Sequence, residues 1–151
     1  MVNAHKLKEL FGTLQLPEQS IWLSAGTLRA QLKGPNLGSI YFDGIEVLRG
    51  ISFLVRDENW GTCPAKVTHR KFNRRKNTFT LCYKTEASNG TAKVTCHATI
   101  SATPNQLIFQ AKAIDDKDFK TNRTRFVVVH PYNSIAGKPL TITPPTDLTQ
   151  L

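Results

Sequence analysis

The chain has 151 residues, of which 40% are hydrophobic and 21% are charged, with a formal net charge of +9. This length and composition fit one globular domain that buries roughly two-thirds of its unfolded surface. No apolar run approaches the roughly 20 residues of a membrane-spanning helix, and residues 1–12 contain no apolar signal segment. We therefore expect a cytoplasmic protein that does not bind membranes.

The N-terminal residues predict one short helix. Three apolar residues follow helical spacing, and a glycine stands where such a helix ends: Leu7, Leu10, Phe11 and Gly12. After residue 20 the apolar period is two, which predicts strands. A turn is predicted at residues 34–36, and Asp43-Gly44 is a strong signal for a two-residue hairpin.

The middle of the chain alternates most clearly. Residues 93–102 alternate without interruption between polar and apolar side chains, which is typical of a half-buried antiparallel strand. Residues 79–84 and 107–113 alternate in the same way. Turn residues separate these segments at Asn89-Gly90 and Pro104-Asn105.

The last third predicts two further strands. The continuous apolar run 126–129 predicts a more buried strand, and residues 140–143 a short last one. Nine or ten short strands with almost no helix predict an all-β protein, an antiparallel β-sandwich. We divide the chain into a lead-in (1–19), the sandwich (20–143) and a Pro-rich tail or interdomain linker (144–151).

The chain has three cysteines, Cys63, Cys82 and Cys96, without any C-x-x-C spacing. An odd number of cysteines favours a reducing compartment and argues against a disulfide framework or a zinc ribbon. Cys82 and Cys96 lie within strand patterns, which predicts that both act as small core residues.

Residues 48–62 hold the densest group of side chains suited to a ligand. A strand pattern ends there in a charged, amide and indole cluster: Arg56, Asp57, Glu58, Asn59 and Trp60. Carboxylates and amides hydrogen-bond hydroxyl groups while an aromatic face covers C–H surface, so the cluster suits a sugar-like ligand. The alternative is a strand end whose charges pair with each other and whose tryptophan covers the core.

A basic run occupies residues 69–76. Its cations could neutralise phosphates of a nucleic acid, and the residues that would do so are Arg70, Lys71, Arg74, Arg75 and Lys76. The run contains one aromatic residue instead of the alternating stack that RNA-binding sheets use. Because it lies between two strand patterns, we interpret it as a solvated hairpin connection and do not expect nucleic-acid binding to be the main function.

Signals for catalysis are weak. His130 follows the apolar run 126–129 and precedes Pro131, where a sheet gives way to a loop, so it is a further ligand candidate. The four histidines show no metal-binding spacing, and no nucleophile elbow or phosphate-binding loop is present. The acidic residues 115–118 lack the glycine and distal glutamate of a calcium loop and predict a polar hairpin tip. We predict no catalytic residue, metal site or cofactor in this chain.

Two stretches of the chain resemble the N-terminal region of the D-apionate lactonase family. The first is GIEVLRGI at residues 44–51, running into VRDENWGT at residues 55–62. The second runs through NRTRFVVVHP at residues 122–131 to AGKPL at residues 136–140. Arg125 departs from the family pattern, which usually has glycine there, and this departure puts the local strand geometry in question.

The resemblance implies a longer protein with an N-terminal β-sandwich, a central barrel-like catalytic domain and a C-terminal β-domain, acting on the lactone of a branched sugar acid. Its catalysis would lie on the barrel loops. Three hypotheses therefore stand. The first is a non-catalytic accessory domain, truncated before a TIM-barrel-type partner. The second is a stand-alone carbohydrate-binding or epimerase-like sandwich with a sugar-acid ligand. The third is a basic nucleic-acid-binding module.

Overall fold

The computed structural model describes residues 19–89, 92–115 and 119–139, together with Lys6, Lys8, Glu9, Gly12 and Thr141. The described residues include ten strands and a short helix near the C-terminal end, so the all-β prediction is confirmed. The strands are β1 Ser20–Ala25, β2 Leu28–Lys33, β3 Asn36–Phe42, β4 Ile45–Leu48, β5 Gly50–Asp57, β6 Ala65–Arg75, β7 Thr78–Asn89, β8 Ala92–Thr103, β9 Gln106–Asp115 and β10 Thr121–Val129; the helix is Tyr132–Ile135.

The strands form two antiparallel sheets that pack face to face. The larger sheet has six strands in the order β1-β2-β3-β5-β10, with β4 paired to β3. The smaller sheet has four strands in the order β6-β7-β8-β9. Every neighbour in the smaller sheet is also a neighbour in sequence, whereas β5 and β10 pair across more than sixty residues. This is the sandwich that the alternation predicts.

The predicted turns lie between paired strands. Phe42 pairs with Ile45, so Asp43 and Gly44 form a two-residue hairpin loop, with φ angles of 48° and 79°. Two positive φ values are what a type I′ turn requires. Pro104-Asn105 likewise joins β8 to β9. Asn89 is the last residue of β7, and Gly90 lies outside the described residues.

The main core lies between the two sheets. Its buried residues come from β1, β2 and β3 on one side and from β7 and β8 on the other: Leu23, Ala25, Leu28, Ala30, Leu32, Leu37, Ile40, Phe79, Leu81, Tyr83, Ala98, Ile100 and Ala102. The alternation in β7 and β8 thus has its expected cause, since every second side chain faces the opposite sheet. The phenol of Tyr83 donates a hydrogen bond to the carbonyl oxygen of Pro35 at 2.5 Å.

A second, smaller core lies towards the end of β5. It contains Val55, Cys63, Ala87, Val94, Cys96 and Phe119, with Phe53 packed against it. Cys63 is therefore a core residue, as is Cys96, but Cys82 is exposed and its prediction as a core residue is wrong. Cys82 alternates with buried Leu81 and Tyr83, so it lies on the outer face of β7.

The strand predicted at residues 126–129 is present as part of β10, but its predicted burial is wrong. Phe126, Val128 and Val129 are 39%, 47% and 46% exposed, respectively. They lie in β10, which is an edge strand of the larger sheet. A continuous apolar run is typical of a strand covered on both faces, and β10 is not covered in this way.

Arg125 does not disturb its strand. It pairs in regular register with Leu54, and its side chain is exposed at the sheet edge. The irregularity of β10 lies upstream, between Thr121 and Arg123, where Asn122 has no partner in the register. A large cation fits at position 125 because an edge strand has open space around it.

Several predictions lie wholly or partly outside the described residues. In the predicted N-terminal helix, Lys6, Lys8 and Glu9 are helical, and the N–H of Gly12 donates to the carbonyl of Lys8 at 2.9 Å; Leu7, Leu10 and Phe11 are not described. The acidic tip 116–118, most of the predicted last strand 140–143 and the tail 144–151 are also not described. No helix among the described residues is long and apolar enough to cross a membrane.

Candidate functional site

The hairpin that follows β5 is organised around the carboxylate of Asp57. Its Oδ1 atom accepts hydrogen bonds from the backbone N–H groups of Asn59 at 2.9 Å and Gly61 at 2.7 Å. The main chain closes the same loop, because the N–H of Asp57 donates to the carbonyl of Gly61 at 2.9 Å. A carboxylate that holds a turn in this way is typical of aspartate at the start of a loop. Asp57 therefore positions the hairpin.

Gly61 is required by the position of that carboxylate. A Cβ atom added at Gly61 would overlap Oδ2 of Asp57 and lie 3.0 Å from its Cγ. The close approach of backbone to carboxylate is what allows the short hydrogen bond from the Gly61 N–H. Glycine serves here through the absence of a side chain.

Trp60 projects from the tip of this hairpin. Trp60 is 52% exposed and its backbone has a φ of 69°. A bulky residue in the left-handed region is uncommon and carries strain of order 1–3 kcal/mol. Trp60 is thus only partly covered, whereas the alternative of a tryptophan that covers the core would require burial.

Two arginines hold Trp60 in place. Arg56 donates from Nη1 to the carbonyl oxygen of Trp60 at 2.8 Å, and the guanidinium carbon of Arg123 lies 5.3 Å from the centre of the indole ring. The hydroxyl of Thr121 donates to the carbonyl of Arg56 at 2.6 Å, tying the hairpin to β10. The two guanidinium groups can bind a carboxylate. The exposed indole beside them can cover the apolar face of a sugar ring.

The remaining candidate residues divide into two places. Glu58 and Asn59 are exposed in the same hairpin as Trp60. His130 is exposed at the other end of the β5–β10 pair, next to the pairing of Val129 with Gly50. Eight paired residues place it roughly 25 Å from the hairpin. The structure thus groups residues 56–60 and leaves His130 apart from them.

The basic run is not a hairpin connection. Most of it belongs to β6, which continues to Arg75, and only Lys76 and Asn77 form the turn to β7. β6 is an edge strand of the smaller sheet, and exposed charges are common on such edges because they prevent pairing with other chains. The strand bulges at His69, which has a φ of 49°. The nucleic-acid hypothesis stays a prediction.

The thiol of Cys63, which lies next to the hairpin of Trp60, has low reactivity. Cys63 is buried, and its N–H donates to the carbonyl of Val55 at 3.0 Å. Burial raises the pKa of the Cys63 thiol, and the nearby carboxylate of Asp57 raises it further. Since the thiolate is the reactive form, both effects lower its reactivity. Within the described part of the chain, no group of three or more His, Cys, Asp or Glu side chains could hold a metal ion.

Arg123 is the site residue that sequence reasoning missed. It lies in the stretch 122–131 used for the family resemblance, but no local pattern connects it to Trp60. The pairing of β10 with β5 sets Arg123 opposite Arg56. This pairing alone brings the side chains of Arg123 and Trp60 together.

Comparison with known proteins agrees with the resemblance seen in the sequence. The family model described as D-apionate lactonase, N-terminal domain, matches residues 8–150. A D-apionate lactonase from Brucella anthropi is 34% identical over 135 residues, which cover 88% of this chain and 22% of that protein. This chain thus spans about a fifth of the length of the curated relative. No solved structure shows significant similarity to it.

The match of residues 8–150 covers the strands that form both sheets and the hairpin that carries Trp60, and the chain therefore belongs to the family of D-apionate lactonase N-terminal domains.

Proposed function

We propose that this chain is an accessory domain of a D-apionate lactonase-like sugar-lactone hydrolase and does not catalyse the reaction by itself. The observation that carries the proposal is the family match over 143 of its residues, set against a relative of which the chain spans only 22%. The domain would pack on the catalytic part of such an enzyme, which we expect to be a TIM-barrel-type domain. Three free thiols are consistent with a cytoplasmic location, which remains part of the proposal.

The arrangement of residues 56–60 supports a positioning role. Asp57, the carboxylate best placed to act on a substrate, accepts two backbone hydrogen bonds within its own loop. Those bonds favour a structural use of the carboxylate. The exposed residues of the hairpin include Glu58, Asn59 and Trp60, with Arg123 of β10 beside the indole. We propose that these groups orient a ligand or partner.

The direct experiment measures hydrolysis of a D-apionate lactone by the purified chain. We expect a rate equal to that of buffer at the same pH. Measurable turnover that is lost in the Asp57→Asn or His130→Ala variant would contradict the proposal and place an active site in this domain. A matched control is Glu86→Gln, which changes a carboxylate on the far sheet.

A second candidate function is sugar-acid binding at the hairpin, with the carboxylate of the ligand between Arg56 and Arg123. The exposed indole beside these cations is the observation that favours it. Binding of D-apionate should then change the fluorescence of Trp60. Because Trp22 is the other tryptophan, the titration uses the Trp22→Phe variant; an unchanged spectrum at millimolar ligand would exclude this candidate.

A further inference from the structure

The inward face of β10 is only partly covered by the described residues. Antiparallel partners point to the same face of a sheet, so Val128 shares the face of Ile51, and Phe126 shares that of Phe53. Ile51 and Phe53 pack against the two cores. Phe126 and Val128 therefore point towards the smaller sheet, yet they are 39% and 47% exposed.

The reason is a mismatch between the two sheets. The smaller sheet ends at β9, and no described strand pairs with the free edge of β9. Phe109 of β9 reaches Phe126, with ring centres 5.2 Å apart, and Phe126 also contacts Phe53 at 5.0 Å. We call the surface formed by Phe53, Phe109, Phe126 and Val128 the β10 ledge.

The β10 ledge continues into an apolar cleft. A cleft of about 340 Å³ lies between β4 and β9 and is lined mainly by apolar side chains, among them Phe42, Val47, Ile51 and Leu107. Ile51 belongs to this cleft and is also the register partner of Val128. The exposed apolar surface thus extends from β10 across the opening between the sheets, a continuous patch of the kind that marks a protein interface.

We propose that the β10 ledge is the surface by which this domain docks on the remaining polypeptide of a D-apionate lactonase. This inference rests on the proposed function and names the surface that it uses. The partner that would cover the ledge is inferred from the length of the curated relative, of which 78% lies outside the part aligned with this chain. The ledge is apolar and uncharged, which matches a permanent intramolecular interface better than a site for a polar sugar acid. The free edge of β9 offers backbone groups to an added strand.

The experiment compares hydrogen–deuterium exchange in the 151-residue chain with exchange in a chimera, in which this chain replaces the aligned part of the Brucella anthropi lactonase. We expect amides of β9 and β10 to exchange at least tenfold more slowly in the chimera. Amides of β1, the opposite edge strand of the larger sheet, serve as the control and should be unchanged. Protection confined to another surface, such as residues 56–60, would overturn the proposal that the ledge is the docking surface, but it would agree with the accessory role. An absence of protection anywhere on the domain overturns both.

A pair of variants tests the ledge itself. Val128 and Val129 are neighbours of the same type and are 47% and 46% exposed, but they point to opposite faces of β10. In the chimera, Val128→Glu should restore fast exchange in β9 and β10, whereas Val129→Glu should not. Equal effects of the two variants overturn the proposal.

Where the chimera does not fold, the chain and the remaining part of the lactonase are mixed and their affinity is measured by calorimetry. Val128→Glu should weaken binding at least tenfold relative to Val129→Glu, and failure of the unmodified chain to bind counts against the proposal. Sedimentation equilibrium of the isolated chain provides the last check. A dimer that Val128→Glu dissociates would assign the ledge to a second copy and overturn the choice of partner.

Discussion

The guanidinium carbon of Arg123 lies 5.3 Å from the centre of the Trp60 ring, although more than sixty residues separate the two in sequence. Their contact joins the hairpin after β5 to the first residues of β10. The strained backbone of Trp60 is thereby fixed from two sides, by this contact and by the hydrogen bond from Arg56 to its carbonyl.

Replacing Trp60 by alanine should change the stability of the isolated domain only slightly. The ring is half exposed, and an exposed cation–π contact contributes about 0.5–1 kcal/mol. We expect the free energy of unfolding to fall by about 1 kcal/mol or less in urea denaturation. Phe79→Ala, at a side chain 2% exposed, is the control and should cost about 3–5 kcal/mol. A loss of that size at Trp60 would show that the ring fills the core.

Asp57 and Gly61 should be energetically coupled. Asp57→Ala removes the acceptor of two backbone hydrogen bonds and should lower the free energy of unfolding by about 1–3 kcal/mol. Gly61→Ala should cost about 1–3 kcal/mol because its Cβ would overlap the Asp57 carboxylate.

The same pair provides its own control. In the Asp57→Ala background the carboxylate is absent, so the added Cβ at residue 61 should cost much less. A double-mutant cycle measures this difference. Additive losses would mean that the two residues act independently.

The three thiols should react at different rates. Cys82 is exposed, whereas Cys63 and Cys96 are buried. Burial raises the pKa of both buried thiols, and it does so for Cys96 despite a hydrogen bond with Thr85 that acts in the opposite direction. Iodoacetamide at neutral pH should therefore label Cys82 in the native domain and the other two only in urea, as read by peptide mass spectrometry. Native labelling of Cys63 would show that the hairpin opens readily.

Tyr83 should make the domain sensitive to alkali. Burial raises the pKa of its phenol above the usual value of about 10, although Arg70 acts in the opposite direction. The native state thus favours the neutral phenol. The contribution of Tyr83 to the free energy of unfolding is therefore complete below pH about 10 and is lost as the pH rises above that value.

The comparison variant for this effect is Tyr83→Phe. It loses the hydrogen bond to Pro35 and should cost about 0.5–1.5 kcal/mol at neutral pH. Urea denaturation between about pH 8 and pH 11 should show a steeper decline for the unmodified domain than for the variant. Parallel curves would mean that Tyr83 does not contribute to the alkaline loss.

The sequence pattern predicts burial correctly for strands in the middle of a sheet, where one face packs against the opposite sheet. β7 and β8 lie in the middle of the smaller sheet, so their alternation reports directly which side chains face the core. The Asp43-Gly44 hairpin is predictable because its φ angles are a local property of these two residues.

The errors occur at the sheet edges. The apolar residues of β10 predict burial, but among the described strands the four-stranded sheet ends at β9. Phe109 of β9 covers part of Phe126, and Val128 is left 47% exposed. The charges of β6 predict a loop, but an edge strand tolerates charges because solvent reaches its side chains. Nothing in the sequence near Trp60 indicates Arg123, since the long-range pairing of β5 with β10 creates their contact.

That long-range pairing also has a consequence for synthesis on the ribosome. β5 must wait for β10, which emerges more than sixty residues later, or on the order of several seconds at ordinary translation rates. During this interval β6 to β9 can form their three consecutive hairpins, because each needs only its sequence neighbour. The larger sheet, which then has five strands, meanwhile exposes the edge of β5. This order of events makes β5 the segment for which a chaperone would matter most, and it makes the arrival of β10 the step that completes the domain.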